Sequence, residues 1–96
     1  MKRLLWWLIA GSRGGPSRAR IIRLLEERPS NANQISSALE MEYKNVRHHL
    51  KVLEENDLVT NLNSGGYGSL YFISSRLEGE MATFEEICGH IAGNGG

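Results

Sequence analysis

The chain has 96 residues, which is enough for one domain and too short for two. Its 11 Lys and Arg balance its 11 Asp and Glu, and this balance argues against a polybasic tail or a strongly charged membrane-surface protein. The single cysteine excludes an intramolecular disulfide and a thiolate metal cage within one chain. A reduced, cytoplasmic setting is therefore expected.

Charge is distributed unevenly along the chain. Residues 1–28 carry seven cations and two carboxylates, whereas residues 58–96 carry one cation and four carboxylates. This asymmetry predicts a basic side of the molecule to which an anionic partner is steered.

The first 15 residues form an apolar segment followed by a glycine-rich break, GSRGG. The opening MKRLLWWLIAGS imitates a signal peptide, but its apolar run from Leu4 to Ala10 is far shorter than the roughly 20 residues that span a bilayer. No membrane contact is therefore expected. We expect Trp6 and Trp7 to pack against the domain, against a second copy, or against a protein partner.

Two helices are predicted next, within a domain that covers residues 16–75. Pro16 stands where the first turn of a helix tolerates proline, and Pro29 ends that helix. Asn31 and Gln34 have the spacing of a capping box at the start of the second helix.

A third helix and a hairpin complete this domain. The helix runs from about Tyr43 to Glu55, and Asn56 and Asp57 tolerate the left-handed backbone that ends helices. The segments LVTNLN and SLYFIS, joined by the glycine-rich SGGYG, then predict a β-hairpin over residues 58–74.

The last predicted element is a helix over residues 76–92, followed by a disordered tail at 93–96. Its apolar residues alternate at spacings of four and three, which is a heptad-like pattern typical of dimer interfaces. Packing within the same chain is the alternative. The residues of this stripe are Leu77, Met81, Phe84, Cys88 and Ile91.

A projection at 100° per residue divides the third helix into two faces. The inward face holds Tyr43, Val46, His49, Leu50 and Leu53, and the outward face holds Lys44, Arg47, His48 and Lys51.

The adjacent histidines of this helix therefore diverge. They cannot chelate one metal ion together, because helical metal sites space their histidines at i and i+4. For His49 a partly buried imidazole hydrogen-bonded to the backbone is favoured over a functional role, and for His48 a solvated residue and a nucleic-acid contact stay equally open. No metal site is predicted.

Catalytic motifs are missing from the sequence. It contains no GxSxG, GxxxxGK[ST] or HExxH pattern, and Cys88 lies in the apolar stripe. The glycines of SGGYG belong to a turn with no helix after it to receive a phosphate. We therefore predict neither an enzyme nor a bound cofactor.

The order of these elements, with a hairpin after a helix whose outward face is cationic, is that of a winged helix-turn-helix. The stretch NANQISSALEMEYKNVRHHLKVLEENDLV resembles the winged helix-turn-helix regulators of the ArsR type, particularly those common in archaea. The match extends over about residues 17–75. The paired cysteines of the arsenic-sensing members are missing from this sequence. The pattern V-x-x-H-L-x-x-L-E-E followed by L-V is carried by Val46, His49, Leu50, Leu53, Glu54, Glu55, Leu58 and Val59.

The resemblance implies an α+β, mainly helical fold and a cytoplasmic transcription regulator that binds double-stranded DNA, usually as a homodimer. In such proteins the third helix enters the major groove and the hairpin wing touches the flanking backbone. The dimer interface is assigned to Trp6, Trp7 and the C-terminal stripe. Candidate DNA-binding residues are Ser36, Ser37, Tyr43, Lys44, Asn45, Arg47, His48, Lys51 and Tyr67.

The alternative function is that of a winged-helix protein–protein interaction module without direct DNA binding. Zero net charge, a hairpin turn without Arg or Lys, and the two tryptophans favour it. Ion pairs of Arg47 or Lys51 with Glu54 or Glu55 would neutralise the outward face and weaken the DNA hypothesis.

Overall fold

A computed structural model describes residues 1–62 and 68–95 of the chain, with side chains up to residue 91. Most of the predicted hairpin turn, including Tyr67, lies outside the described residues. Between α1 and α2 the backbone forms a π-helical segment, Trp6–Ala10. In chain order the other elements are α1 (Lys2–Leu5), α2 (Gly15–Glu27), α3 (Ala32–Leu39), α4 (Tyr43–Glu55), β1 (Val59–Asn61), β2 (Tyr71–Ile73), α5 (Ser75–Glu78) and α6 (Met81–Gly95).

The N-terminal segment, defined here as α1 and the π-helical segment, packs its apolar side onto α2 and α6. Leu5, Leu8 and Ile9 are buried in the common core, whereas Trp6 and Trp7 point outward. Sequence analysis assigned no conformation to these residues. The observed helix follows from apolar residues at i, i+3 and i+4, which place one face against the core.

Both predicted limits of α2 are confirmed. Pro16 occupies its first turn, where a missing N–H costs nothing. The last helical residue precedes Arg28, which is extended with φ −162° and ψ 140°. The residue before a proline avoids the helical region, so Pro29 ends α2.

The capping box of α3 is also confirmed. The Asn31 side-chain oxygen accepts from the Gln34 backbone N–H at 2.8 Å, and the Gln34 side-chain oxygen accepts from the Asn31 N–H at 2.8 Å. The helix ends at Glu40, which adopts the left-handed conformation with φ 53°. This turn directs the chain into α4.

Helix α4 has the predicted limits, Tyr43 to Glu55. Val46, Leu50 and Leu53 are fully buried, which fixes the inward face. Of the two residues expected to end the helix with a left-handed backbone, Asp57 adopts it with φ 58°, whereas Asn56 does not.

The predicted hairpin forms an antiparallel pair in which Val59 faces Ile73 and Asn61 faces Tyr71. Its paired strands are shorter than the predicted segments. A bridge extends the sheet by one residue, because the Ser30 N–H donates to the Tyr71 carbonyl at 3.0 Å and the Tyr71 N–H donates to the Ser30 carbonyl at 2.9 Å. The hairpin is thereby tied to the α2–α3 connection.

The C-terminal region differs from the predicted single helix over 76–92. Ser74 accepts from the Leu77 N–H and starts the short helix α5, which ends at Gly79 before α6 begins. Helix α6 continues to Gly95, so residues 93–95 are helical instead of forming a disordered tail. Extending a nucleated helix costs little per residue, which explains why the glycines do not stop it earlier.

Candidate nucleic-acid interface

The outward face of α4 is cationic and exposed, as its projection predicted. Lys44, Arg47, His48 and Lys51 are all solvent-exposed. Because the opposite face is fixed in the core, this row of side chains is held on a rigid element. It presents hydrogen-bond donors and positive charge to an external partner.

Tyr43 corrects the projection. It was placed on the inward face, but it begins α4, and 43% of its surface is exposed. Arg47 Nη1 donates to the Tyr43 hydroxyl at 3.3 Å, and the guanidinium carbon lies 6.0 Å from the centre of the Tyr43 ring. This contact with the Tyr43 hydroxyl raises the pKa of Arg47, which therefore stays charged.

The ion pairs that would have neutralised this face are not formed. Within residues 1–62 and 68–91, no salt bridge joins Arg47 or Lys51 to Glu54 or Glu55. Such ion pairs therefore do not neutralise the outward face of α4. The cations of α4 stay available to phosphates.

Two concavities lie beside this face and share Arg47 and Tyr71 in their walls. The first is bounded by the start of α3 and by the described end of the hairpin loop at Gly68 and Ser69. The second runs between the α4 cations and β1 at Asn61. Both concavities therefore lie between α4 and the described part of the hairpin.

Sequence analysis missed Tyr71 in this surface. Burial raises the pKa of its phenol, which is therefore protonated and able to donate a hydrogen bond at neutral pH. Its position in the SLYFIS strand was the available signal, but the side of the sheet it faces depends on the register with β1.

The remaining predicted DNA-binding residues are placed differently. Ser37 and Asn45 are exposed. Ser36 is partly buried, and its hydroxyl donates to the Met41 carbonyl at 2.6 Å, so this proton stabilises the α3–α4 turn. A contact of Ser36 with DNA stays a prediction. Tyr67 lies outside the described residues and stays a prediction.

The two histidines occupy different environments, as predicted. His48 is exposed, and His49 is half-buried. The partner of His49 differs from the expected backbone group, because Arg18 Nη1 lies 3.3 Å from His49 Nδ1. Among the residues with described positions, no group of three or more His, Cys, Asp or Glu side chains is arranged to hold a metal ion.

Arg18 is one of the seven cations of residues 1–28, but it is only 5% exposed. Its Nε donates to the Leu8 carbonyl at 2.9 Å, and its Nη2 donates to the Ser12 hydroxyl. Burial lowers the pKa of Arg18, and these hydrogen bonds offset the cost of burying its charge. The guanidinium therefore joins the N-terminal segment to α4.

Two other cations of residues 1–28 face carboxylates of α6 instead of contributing to one basic surface. Lys2 Nζ lies 3.1 Å from a Glu86 oxygen. Arg23 lies 2.9 Å from Glu85, which raises the pKa of Arg23. The predicted charge asymmetry along the chain is thus partly cancelled by the fold.

The stripe assigned to a dimer interface is largely internal. Leu77 and Phe84 are 0% exposed in the core of the chain, so their side chains are not available to a partner. Met81, Cys88 and Ile91 are partly buried against the same core, and burial raises the pKa of the Cys88 thiol. The periodicity indicated an apolar face but not the chain that covers it.

The two tryptophans, in contrast, are exposed to solvent. Trp6 is 42% and Trp7 61% exposed. Trp6 packs edge-on against His90 of α6, with ring centres 5.4 Å apart. The described part of the chain contains no helix long and apolar enough to cross a membrane.

Comparisons with known proteins agree with this architecture. The model of the family described as "Bacterial regulatory protein, arsR family" matches residues 15–61. The solved structure of Staphylococcus aureus MarR in complex with salicylate and kanamycin is similar, with a TM-score of 0.63 and 24% sequence identity. The comparison with curated proteins gives no significant match.

The similarity to MarR concerns the fold. It covers 79% of this chain and 51% of the MarR chain, so the chain spans about half the length of that structure. The particular resemblance to archaeal members stays a prediction. The match of the family model over residues 15–61 agrees with the helix order, the cationic α4 and the paired wing, so over this stretch the chain is similar to the ArsR family of winged helix-turn-helix regulators.

Proposed function

We propose that the protein is a sequence-specific DNA-binding transcription regulator that inserts α4 into the major groove and sets the β1–β2 wing beside the flanking backbone. The observation that carries the proposal is the exposed cationic face of α4, which forms no salt bridge within the described residues and borders a concavity that reaches β1 at Asn61. A regulator of this kind acts where the DNA is, which in this proposal is the cytoplasm.

Each exposed residue of α4 has a role that follows from its chemistry. Arg47 and Lys51 donate to guanine edges or to phosphates, and Asn45 has the amide that pairs with adenine. Lys44, near the start of the helix, suits a phosphate contact. The Tyr43 ring beneath Arg47 restricts the guanidinium, so less conformational entropy is lost when it binds.

The test is fluorescence anisotropy of a labelled random-sequence duplex over a series of salt concentrations. About four phosphate contacts per subunit predict a log–log salt slope near −3.6 for a monomer and about twice that for a dimer. A flat slope, or no binding at low salt, contradicts the proposal and transfers the function to a protein partner.

The proposal includes a homodimer, because one winged helix makes few DNA contacts and operator symmetry mirrors protein symmetry. With Leu77 and Phe84 buried, we place the interface on the exposed side of the N-terminal segment and the adjoining part of α6. Trp6, Trp7 and His90 form its centre. Exposed tryptophans are favoured at such positions, because they bury a large area at low entropic cost.

Replacing both tryptophans is expected to weaken the dimer. For Trp6→Ala/Trp7→Ala we expect the dimer dissociation constant to rise by about 1,000-fold or more, since hot-spot residues contribute about 2 kcal/mol or more each. Sedimentation velocity over a concentration series measures the change.

Leu62→Ala is the control for this experiment, because it removes another exposed apolar side chain, 62% exposed, from outside the interface. It should sediment like the wild type. Equal dimerisation of the tryptophan variant and the wild type would place the interface elsewhere.

A further inference from the structure

The Arg18–His49 contact connects two parts of the molecule that the proposed function uses separately. On one side, Arg18 holds the Leu8 carbonyl and the Ser12 hydroxyl, at the end of the segment that carries the tryptophans. On the other side, it meets His49, which belongs to α4. Within the described residues, the Arg18 guanidinium thus contacts the π-helical segment, the loop that follows it and α4.

The contact depends on the protonation state of His49. A guanidinium has only donors, so Nδ1 accepts from Arg18 when the imidazole is neutral and carries its proton on Nε2. A protonated imidazole has donors at both nitrogens. Two cationic N–H groups would then face each other across 3.3 Å.

The surroundings of His49 give it no compensating anion within the described residues. The charged or titratable groups that face it are Arg18 from α2 and His48 from α4 itself. From the intervening loop it meets Gly14, which carries no charge. Burial first, and then the charges of Arg18 and His48, lower the pKa of His49 from its ordinary 6.5.

We propose that Arg18 and His49 are positioning residues that set α4 relative to the N-terminal segment, and that protonation of His49 breaks their contact and weakens DNA binding. This inference rests on the proposed function. The two recognition helices of a dimer reach adjacent major grooves only at a fixed separation. A link between the interface segment and α4 controls that separation.

The direction of the pH effect follows from linkage. The structured protein binds fewer protons at His49 than a state in which the contact is broken. The contact is therefore complete above about pH 6.5 and is lost as the pH falls from there through the pKa of the folded protein. DNA affinity should fall with it.

A second imidazole, that of His48, lies exposed on the same helix and complicates a direct measurement. The comparison is therefore made between His48→Asn and His48→Asn/His49→Asn. The Asn amide oxygen lies near the position of Nδ1, so it accepts from Arg18 at any pH in this range. His90 is common to both proteins.

The experiment measures anisotropy of a labelled random duplex at about pH 7.5 and about pH 5.5, with circular dichroism showing that each protein is folded at both. His48→Asn should lose about fivefold in affinity on acidification, and the double variant less than about twofold. Equal losses in the two proteins overturn the inference and leave the proposed function intact. If neither variant nor the wild type binds at the higher pH, the proposed function fails and the inference falls with it.

A second variant breaks the contact without changing any titratable group. A Cβ at Gly14 would lie 2.7 Å from both Arg18 Nη1 and His49 Cε1, so Gly14→Ala pushes the two side chains apart. In the His48→Asn background it should bind about fivefold more weakly at the higher pH and lose little more on acidification. Unchanged affinity at the higher pH overturns the positioning role, even if the His49 variant does not fold.

Discussion

Gly15→Ala is expected to lower the free energy of unfolding by about 3 kcal/mol. A Cβ at this residue would lie 1.8 Å from the Ile9 carbonyl oxygen and 2.5 Å from the carbonyl carbon. Both are backbone atoms, so no side chain can rotate to make room. The start of α2 and the end of the N-terminal segment would have to separate, and Ile9 would leave the core.

Thermal unfolding followed by circular dichroism measures the effect, and a midpoint about 15 °C below the wild type is expected for a domain of this size. Gly89→Ala is the matched control, because a Cβ there meets no atom within 4 Å and the residue lies within α6. It should stabilise the protein by about 0.5 kcal/mol, since alanine favours helices over glycine. A Gly15 variant as stable as the wild type would contradict the close approach of Ile9.

The roles of Gly15 and Arg18 could not be predicted from the sequence. GSRGG was interpreted as a glycine-rich break, and Arg18 was one of the seven cations from which a basic side of the molecule was predicted. Both roles depend on the N-terminal segment lying against α2, and no local pattern gives that packing. A glycine needed for close contact has the same sequence signature as one needed for flexibility.

The elements that were predicted correctly have local signals. The Asn31–Gln34 capping box and Pro29 act within a few residues of their own positions, so neighbouring sequence is enough to identify them. The inward face of α4 follows from helical periodicity alone. The exposure of the cations on the opposite face was predicted correctly for the same reason, because helical periodicity places them away from the buried residues.

The C-terminal stripe had a clear periodicity, but part of it covers the core of its own chain. Leu77 and Phe84 repeat as dimer-interface residues do, yet a helix that covers its own domain has the same spacing. Whether an apolar helix face packs on its own chain or on a partner depends on how much apolar surface the other elements of the chain leave uncovered. Here α6 packs against the N-terminal segment, whose conformation was not predicted.

Arg47→Ala/Lys51→Ala is expected to weaken duplex binding by about 1,000-fold near physiological salt, because each phosphate contact contributes about 1 kcal/mol and a dimer loses four cations. Neither residue forms a salt bridge within the described part of the chain, so the variant removes charge without exposing an unpaired carboxylate partner. Their Cα atoms belong to the exposed face of α4, and alanine favours helices. The fold should therefore be retained.

The salt dependence separates this effect from a general loss of positive charge. Removing two phosphate contacts per subunit should reduce the magnitude of the log–log slope by about 1.8 for a monomer and about 3.6 for a dimer. Arg23→Ala is the control, compared with Arg47→Ala alone, because it removes one cation from the surface where α2 faces Glu85 of α6. If Arg47→Ala and Arg23→Ala weaken binding equally, the attraction comes from overall charge and α4 is not the DNA-reading element. A larger loss of affinity for Arg47→Ala than for Arg23→Ala, together with a smaller log–log salt slope, assigns the phosphate contacts to α4. The change in slope counts only the ions that DNA binding releases at the mutated face.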